Sequence, residues 1–142
     1  MATDVKTQRP LPLPNELTEG FWEAARDHRL AVQRCNTCGT YHHPPVPMCT
    51  NCRSSDLAFA DVSGRGRIVA TTIVRASRIE SMAGQSLVLI GVELEEQEGL
   101  VLMANLVEAP AEEARVGLPV TVAFEEIGEG YLLPQFKPGE GA

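Results

Sequence analysis

The residues best suited to chemistry are four cysteines between positions 35 and 52. They form two Cys-x-x-Cys pairs, Cys35 with Cys38 and Cys49 with Cys52, and they are all the cysteines of this 142-residue chain. Each pair makes a tight turn that directs two sulfurs into one space, and four thiolates build a tetrahedral site that a divalent cation closes. Because the protein supplies all four ligands, such a site has no open position for water and is structural, not catalytic.

The spacing and context of the cysteines decide between several kinds of site. Two disulfides need an oxidising compartment, and residues 1–4 show no export-signal pattern. A thioredoxin-like redox pair uses one Cys-x-x-Cys beside a βαβ pattern, which the sequence lacks. We therefore expect a structural Zn²⁺ site, with iron in the same four thiolates as the alternative. His42 and His43 lie between the two pairs, and we expect them to be surface residues outside the ligand set.

The charge and hydropathy of the chain argue against nucleic-acid binding and against a membrane-spanning protein. The net charge is −7, and residues 86–142 carry two basic groups against eleven acidic ones. This excess would repel a phosphate backbone, and only 5% of the residues are aromatic and available for base stacking. A single-stranded nucleic-acid module is therefore the disfavoured alternative. No apolar run approaches the ~18–20 residues that cross a bilayer, so we expect a cytoplasmic protein without membrane contact.

The elements around the cysteines can be predicted from periodicity. Residues 1–16 form a Pro-rich arm, extended and partly polyproline II, that is either loose or laid on a partner. Asn15 or Thr18 would cap a helix that runs to about His28. We predict a short strand at residues 30–34, directly before the first cysteine pair, and another at residues 57–62, after the second pair. We assign residues 17–62 to this helix and a zinc ribbon.

Residues 63–137 alternate predicted strands with turns. The strands are expected at 68–76, 86–95, 100–107, 120–127 and 131–136, with a single helical turn at 110–115. Gly91 interrupts an apolar strand and predicts a bulge or sharp bend. Five bent antiparallel strands with a helical element after the third are typical of an OB-type barrel. The predicted fold is therefore mainly β: an N-terminal helix, a four-cysteine rubredoxin-like zinc ribbon packed as an appendage, a five-stranded OB-fold barrel, and a tail at 138–142.

The sequence offers no catalytic constellation. The three imidazoles, His28, His42 and His43, lie beside no patterned serine or carboxylate pair, and the metal site uses every cysteine. The glutamates of 93–98 and 125–129 fall at strand ends and turns, where a solvated acidic rim is expected. We predict no catalytic residue.

An ordered set of segments resembles the family catalogued as domain of unknown function 35, or DUF35. The matching segments are 21–39, the prolines at 44–45, the second cysteine pair, and residues 63–66, 90–94, 117–124 and 133–136. The resemblance covers roughly residues 17–137. It departs at Val46, because the loop after the two prolines often carries an arginine in this family.

The resemblance implies an accessory protein of thiolase-fold enzymes that act on acyl-CoA thioesters. Members of the family support thiolases, hydroxymethylglutaryl-CoA synthase or retro-aldolases, are also found with hydratases, and can contribute to the CoA-binding surface. It therefore implies a hetero-oligomer with a thiolase-fold enzyme or an aldolase subunit as partner.

Two sets of residues are candidates for contacts beyond the metal site. We hypothesise that arginines near the ribbon–barrel joint hold acyl-CoA phosphates, since guanidinium forks suit phosphate; exposed arginines that balance the acidic half are the alternative. These are Arg65, Arg67, Arg75 and Arg78. The predicted partner interface consists of aromatic and apolar residues, since aromatics anchor interfaces, with core packing of the last two as the alternative. They are Trp22, Tyr131, Leu132 and Phe136.

Overall fold

The computed structural model of the chain describes residues 9–75 and 87–139. Within these residues one helix and eight strands follow each other along the chain, and a single 3-10 turn, Ala111–Glu113, lies between the sixth and seventh strands. The elements are α1 (Glu19–Arg26), β1 (Ala31–Cys35), β2 (Tyr41–His42), β3 (Leu57–Asp61), β4 (Arg65–Val74), β5 (Leu87–Leu94), β6 (Val101–Asn105), β7 (Pro119–Gly128) and β8 (Tyr131–Pro138).

The helix α1 ends earlier than its sequence pattern predicts. The N-cap residue of α1 is Thr18, one of the two predicted candidates, although its side chain makes no capping bond. The side chain of Asn15 accepts two backbone N–H bonds in the turn before the helix. At the other end, helical backbone stops at Arg26 because His28 adopts a left-handed conformation with φ of 59°. The N–H of Arg29 then returns to the carbonyl of Ala24 at 2.9 Å, a closing bond typical of helix C-termini.

The four cysteines are carried by a small antiparallel sheet in the order β2-β1-β3. The central strand β1 pairs with β3 from Ala31 opposite Asp61 to Cys35 opposite Leu57. Its other edge pairs with the short β2, where Gln33 lies opposite His42. This sheet delivers one cysteine at the end of β1 and places the second pair in the loop between β2 and β3.

The remaining five strands close into a barrel. Hydrogen-bonded neighbours follow the order β6-β5-β4-β7-β8, and every one of these pairs is antiparallel. The two ends of the sheet meet in a parallel bridge between Leu106 and Phe136, and the N–H of Val107 donates to the Phe136 carbonyl at 2.8 Å. This closure, with the 3-10 turn after the third barrel strand, confirms the predicted OB-fold.

The predicted bulge lies on the strand next to Gly91. The register of β4 against β5 shifts between Ile68 and Ala70, so Val69 is the extra residue, and Ala70 pairs with Gly91. The bulge lets β4 bend from its pairing with β7 to its pairing with β5 alone, which barrel closure requires.

The zinc ribbon packs against the barrel, as expected, and the contact is one shared hydrophobic core. Leu30 and Val32 of the ribbon are 3% and 0% exposed and belong to the same buried cluster as the barrel residues. The barrel members of the cluster are Ile68, Ile90, Val92, Leu94, Leu100, Leu102, Leu106, Leu118, Val120 and Phe136. Because apolar burial is the main stabilising term in folding, this shared core fixes the ribbon against the barrel.

Across the part of the chain that the structure covers, we find no helix with the length and apolar character needed to span a bilayer.

Candidate metal centre and contact surfaces

The two cysteine turns have the same backbone geometry. In the first turn, the N–H of Gly39 donates to the Cys35 carbonyl at 2.8 Å, and in the second the N–H of Arg53 donates to the Cys49 carbonyl at 2.9 Å. The residue after each pair is left-handed, with φ of 83° at Gly39 and 69° at Arg53. Glycine adopts this conformation at little cost, whereas Arg53 adopts it against its intrinsic preference.

The four sulfurs converge on one point. The Sγ atoms of Cys35 and Cys52 are 3.6 Å apart, those of Cys38 and Cys49 are 3.7 Å apart, and all four lie within 4.8 Å of one another. A tetrahedral ion about 2.3 Å from each sulfur holds the sulfurs about 3.8 Å apart. The predicted ligand set therefore forms a four-thiolate site of the right size for a metal ion.

The sulfur of Cys49 is surrounded by hydrogen-bond donors. It accepts the backbone N–H of Asn51 at 3.4 Å and that of Cys52 at 3.5 Å, and His42 Nε2 lies 3.3 Å away. Such donors stabilise the negative charge of a thiolate ligand. His42 is outside the ligand set, as predicted, but it is only 8% exposed, so the expectation of a surface imidazole is wrong.

The sulfurs also differ in their acidity. Hydrogen bonding with the Asn51 amide, which donates to the sulfur, and with the Thr40 hydroxyl lowers the pKa of the Cys38 thiol to about 5. The pKa of Cys52 moves in the opposite direction, to about 12: the backbone of Ser54 lowers it, but desolvation and the neighbouring thiols raise it by more. Sulfurs this close cannot all ionise unless a cation compensates their charge, which is the chemistry of a metal centre.

Two of the candidate arginines are engaged by glutamates. Arg65 contacts Glu95 through two bonds, Nη2 to Oε2 at 2.7 Å and Nε to Oε1 at 3.3 Å. Arg67 Nη2 donates to Glu93 Oε1 at 3.1 Å. Sequence reasoning missed both pairs, although the antiparallel register that sets Arg67 opposite Glu93 follows from the β4–β5 hairpin.

These two arginines share a cleft, but the four candidates do not form one cluster. Arg65 and Arg67 line a cleft of about 580 Å³ beside Gly117 and Gly139. Arg75 lines a different cleft, and Arg78 lies outside the described residues. An anion in the first cleft would compete with the Glu93 and Glu95 carboxylates for the guanidinium groups.

The predicted interface residues divide into a surface group and a core residue. The Trp22 ring meets the Tyr131 ring edge-on at 6.1 Å, and the Arg26 guanidinium carbon lies 4.8 Å from the centre of the Tyr131 ring. Trp22, Tyr131 and Leu132 are half-buried. Phe136 is 0% exposed in the barrel core, which contradicts its prediction as a contact residue and supports the alternative, core packing.

Two models of known protein families match consecutive segments of this chain. The profile described as ChsH2, rubredoxin-like zinc ribbon domain, matches residues 22–58, and the profile described as ChsH2, C-terminal OB-fold domain, matches residues 60–125. A DUF35 domain-containing scaffold protein of Pyrococcus furiosus is 30% identical over 77% of this chain and 79% of its own length. The chain therefore belongs to the DUF35 family.

Two longer relatives carry names of enzyme subunits. A protein of Thermomonospora curvata named probable enoyl-CoA hydratase alpha subunit is 32% identical over 94% of this chain. The 3-oxo-4,17-pregnadiene-20-carboxyl-CoA hydratase alpha subunit of Mycobacterium tuberculosis is 26% identical over 91% of this chain. The chain spans only 41% and 40% of the length of these two relatives.

A solved structure resembles this fold closely. A chain of the Ltp2-ChsH2(DUF35) aldolase superposes with a TM-score of 0.80 and 31% identity, over 90% of this chain and 98% of that one. A DUF35 protein of Sulfolobus solfataricus, with a TM-score of 0.58 and 15% identity over 87% of this chain and 86% of that one, supports the fold alone.

Proposed function

We propose that this chain is a non-catalytic accessory subunit that binds and stabilises an enzyme acting on acyl-CoA thioesters, a thiolase-fold enzyme or an aldolase. The observation that carries the proposal is its likeness, over 90% of its length, to a chain of the Ltp2-ChsH2(DUF35) aldolase. The scaffold name of the Pyrococcus furiosus relative supports an assembly role.

The chemistry of the described residues is consistent with this role. A metal bound by four cysteines has no open coordination position, so it stabilises the ribbon and activates no water. We assign Zn²⁺ to the site, supported by the zinc-ribbon profile, and iron is the alternative that the same four thiolates would hold.

A hydratase is the second candidate for the partner enzyme. The two longer relatives are named as hydratase alpha subunits, and more than half of each of them lies outside the part that this chain matches. The accessory role is the same with either partner, and only the reaction it supports differs.

We place the partner contact on the surface formed by Trp22, Arg26 and Tyr131, with Leu132 beside it. Tryptophan, tyrosine and arginine are the residue types most often found at the energetic centre of protein interfaces, and here one side chain of each type packs together at the surface.

We also retain Arg65 and Arg67 as contacts for the phosphates of CoA bound by the partner, with Arg75 and Arg78 as further candidates. Their support is the exposure of the first two side chains, 60% and 66%, at the joint between ribbon and barrel. The ion pairs to Glu95 and Glu93 must open for this role, and a doubly charged phosphate is a stronger acceptor than one carboxylate.

The direct test is to purify the tagged chain from its native source and identify the proteins that come with it by mass spectrometry. We expect a thiolase-fold enzyme, an aldolase or a hydratase in near-stoichiometric amount, and this result also identifies the reaction. A bare monomer, or a preparation whose only partner is nucleic acid bound in a salt-dependent manner, would overturn the proposal.

A further inference from the structure

The described part of the N-terminal arm lies against this chain's own barrel. The Nε of Arg9 donates to Glu125 Oε2 at 3.0 Å, and the two side chains are only 18% and 28% exposed. The side chain of Leu11, two positions after Arg9, lies against Gly128 at the end of β7. The sequence pattern left open whether the arm is loose or laid on a partner. The structure shows a third arrangement, in which the arm lies on the chain's own barrel.

Few contacts hold the arm there. Pro10, Pro12 and Pro14 have no N–H, so the arm cannot join the barrel as a strand. In the described part of the chain, no backbone–backbone hydrogen bond joins residues 9–14 to the barrel. Leu13 is 92% exposed. Among the described residues, the ion pair of Arg9 is therefore the polar attachment of the arm to the barrel, and Leu11 adds an apolar contact. A competitor that replaces the ion pair can displace the arm.

The Glu125 carboxylate that binds Arg9 is held in place by other residues of the barrel. The other carboxylate oxygen of Glu125, Oε1, accepts Gln135 Nε2 at 3.0 Å. Gln135 is 1% exposed, and its Oε1 accepts the backbone N–H of Asn105 at 2.7 Å. The hydrogen bond from the buried Gln135 amide orients the Glu125 carboxylate, and its second oxygen faces the arm.

The arm also separates two clefts. One has a volume of about 520 Å³ and the other about 370 Å³, and both are lined by Arg9 and Val107. Withdrawal of Arg9 would join them into one groove with the Glu125 carboxylate between its two parts. The walls of this groove combine apolar side chains, Ile73, Val88, Leu106 and Phe124 among them, with the charged side chains of Arg75, Glu108 and Glu112.

We propose that this groove binds an extended, arginine-bearing segment of the partner enzyme, and that Arg9 of the arm divides the groove until that segment displaces it. The identity of the partner rests on the proposed function. An arginine fits because its planar fork matches a carboxylate, and the barrel half of the chain is strongly acidic, with eleven acidic groups against two basic ones in residues 86–142.

A partner segment is a better occupant than the arm of a second copy. The arm of a second copy carries the same residues as the chain's own arm, which is already tethered beside the groove at high effective concentration. Exchange between identical arms therefore adds no contact, whereas a partner segment brings the rest of the partner interface with it.

The test uses a full-length Arg9→Ala variant as host and the acetylated hexapeptide of residues 9–14 as probe, measured by titration calorimetry. We expect the peptide to bind this host at least tenfold more tightly than wild type, whose own arm blocks the groove. The matched Arg9→Ala peptide should not bind, and adding Glu125→Gln to the host should abolish binding of the arginine peptide.

Three results would overturn the proposal: no binding to the variant host, equal binding to variant and wild type, or binding that survives Glu125→Gln. Thermal unfolding of each variant checks its fold, and Arg9→Gln provides a second host if the alanine variant does not fold. Dimers that form when wild type is mixed with Arg9→Ala would identify a second copy as the occupant and would also overturn it. A failure here leaves co-purification of the partner with wild type unaffected, so the two proposals fail separately.

Discussion

The side-chain amide of Gln97 pairs with the backbone of Tyr41. Its Oε1 accepts the Tyr41 N–H at 2.9 Å, and its Nε2 donates to the Tyr41 carbonyl at 3.0 Å. Gln97 lies in the β5–β6 turn of the barrel, whereas Tyr41 begins β2 of the ribbon. The Gln97 side chain therefore bonds to both backbone groups of Tyr41, as the backbone of a neighbouring strand would. This pair links the ribbon to the barrel and orients the metal site relative to the barrel.

Substitution of Gln97 tests how much this pair stabilises the joint. Gln97→Ala leaves the Tyr41 N–H and carbonyl without their partner, so we expect a loss of about 1–3 kcal/mol in the free energy of unfolding, measured with urea. Glu98→Ala in the same exposed turn is the control and should change stability little. Equal effects of the two substitutions would show that the pair with Tyr41 contributes nothing.

Loss of one metal ligand should unfold the ribbon. Cys35 is 1% exposed, and Cys35→Ser removes a thiolate from a site whose binding energy stabilises the fold. We expect wild type to contain one zinc ion per chain by elemental analysis, and the variant to lose the metal and melt at lower temperature. Ser55→Ala, an exposed neighbour, is the control. A wild-type protein containing iron, with visible absorption, would contradict the assignment of zinc.

Acid should weaken the pairs of the first cleft. The Gly99 N–H at 2.9 Å and then Arg67 lower the pKa of Glu93 below the ordinary value of 4.5. A carboxyl group whose pKa is lowered in the folded state stabilises that state above its ordinary pKa, and this contribution disappears as the pH falls through the lowered value.

The measurement is the difference in unfolding free energy between wild type and Glu93→Gln. We expect wild type to be the more stable protein at pH 7 and the difference to shrink steadily below about pH 4.5, the ordinary value for this carboxyl group. A difference that stays constant as the pH falls would show that ionised Glu93 does not carry the effect.

The proposed phosphate contacts can be tested in the assembled complex. Arg65→Ala and Arg67→Ala should each raise the KM for acyl-CoA about tenfold, as expected for loss of one charge-assisted hydrogen bond, with kcat unchanged. Glu95→Gln is an informative control, because it frees Arg65 and should lower KM or leave it unchanged. An unchanged KM in both arginine variants would show that these arginines only form ion pairs with Glu93 and Glu95 and do not contact the CoA phosphates.

The contact surface around Trp22 makes a separate prediction. Tyr131→Ala removes the ring that packs against both Trp22 and Arg26, so we expect the affinity for the partner enzyme to fall at least tenfold in a binding titration. Met103→Ala, a 63% exposed apolar side chain on β6, is the matched control and should leave the affinity unchanged. Equal losses in the two variants would show that the contact does not lie at Tyr131.

Local patterns in the sequence determined the metal site and the order of the elements. The two Cys-x-x-Cys pairs build their turns from neighbouring residues, so the ligand set follows from spacing alone. Alternation or a continuous apolar run likewise identified two of the three ribbon strands and the five barrel strands, because the side-chain period is a property of the single strand. The two-residue strand β2 was missed because it is too short to show a period. The family resemblance then follows from the order of these segments.

Only the tertiary structure decided which of these elements meet. It places Phe136 in the core and Tyr131 on the surface, although both lie on one strand. It pairs Arg9 with Glu125 across 116 positions of the chain. It also packs the ribbon residue Leu30 into the barrel core. Such contacts depend on register and closure between distant segments, and a periodic pattern carries information only about its own few residues.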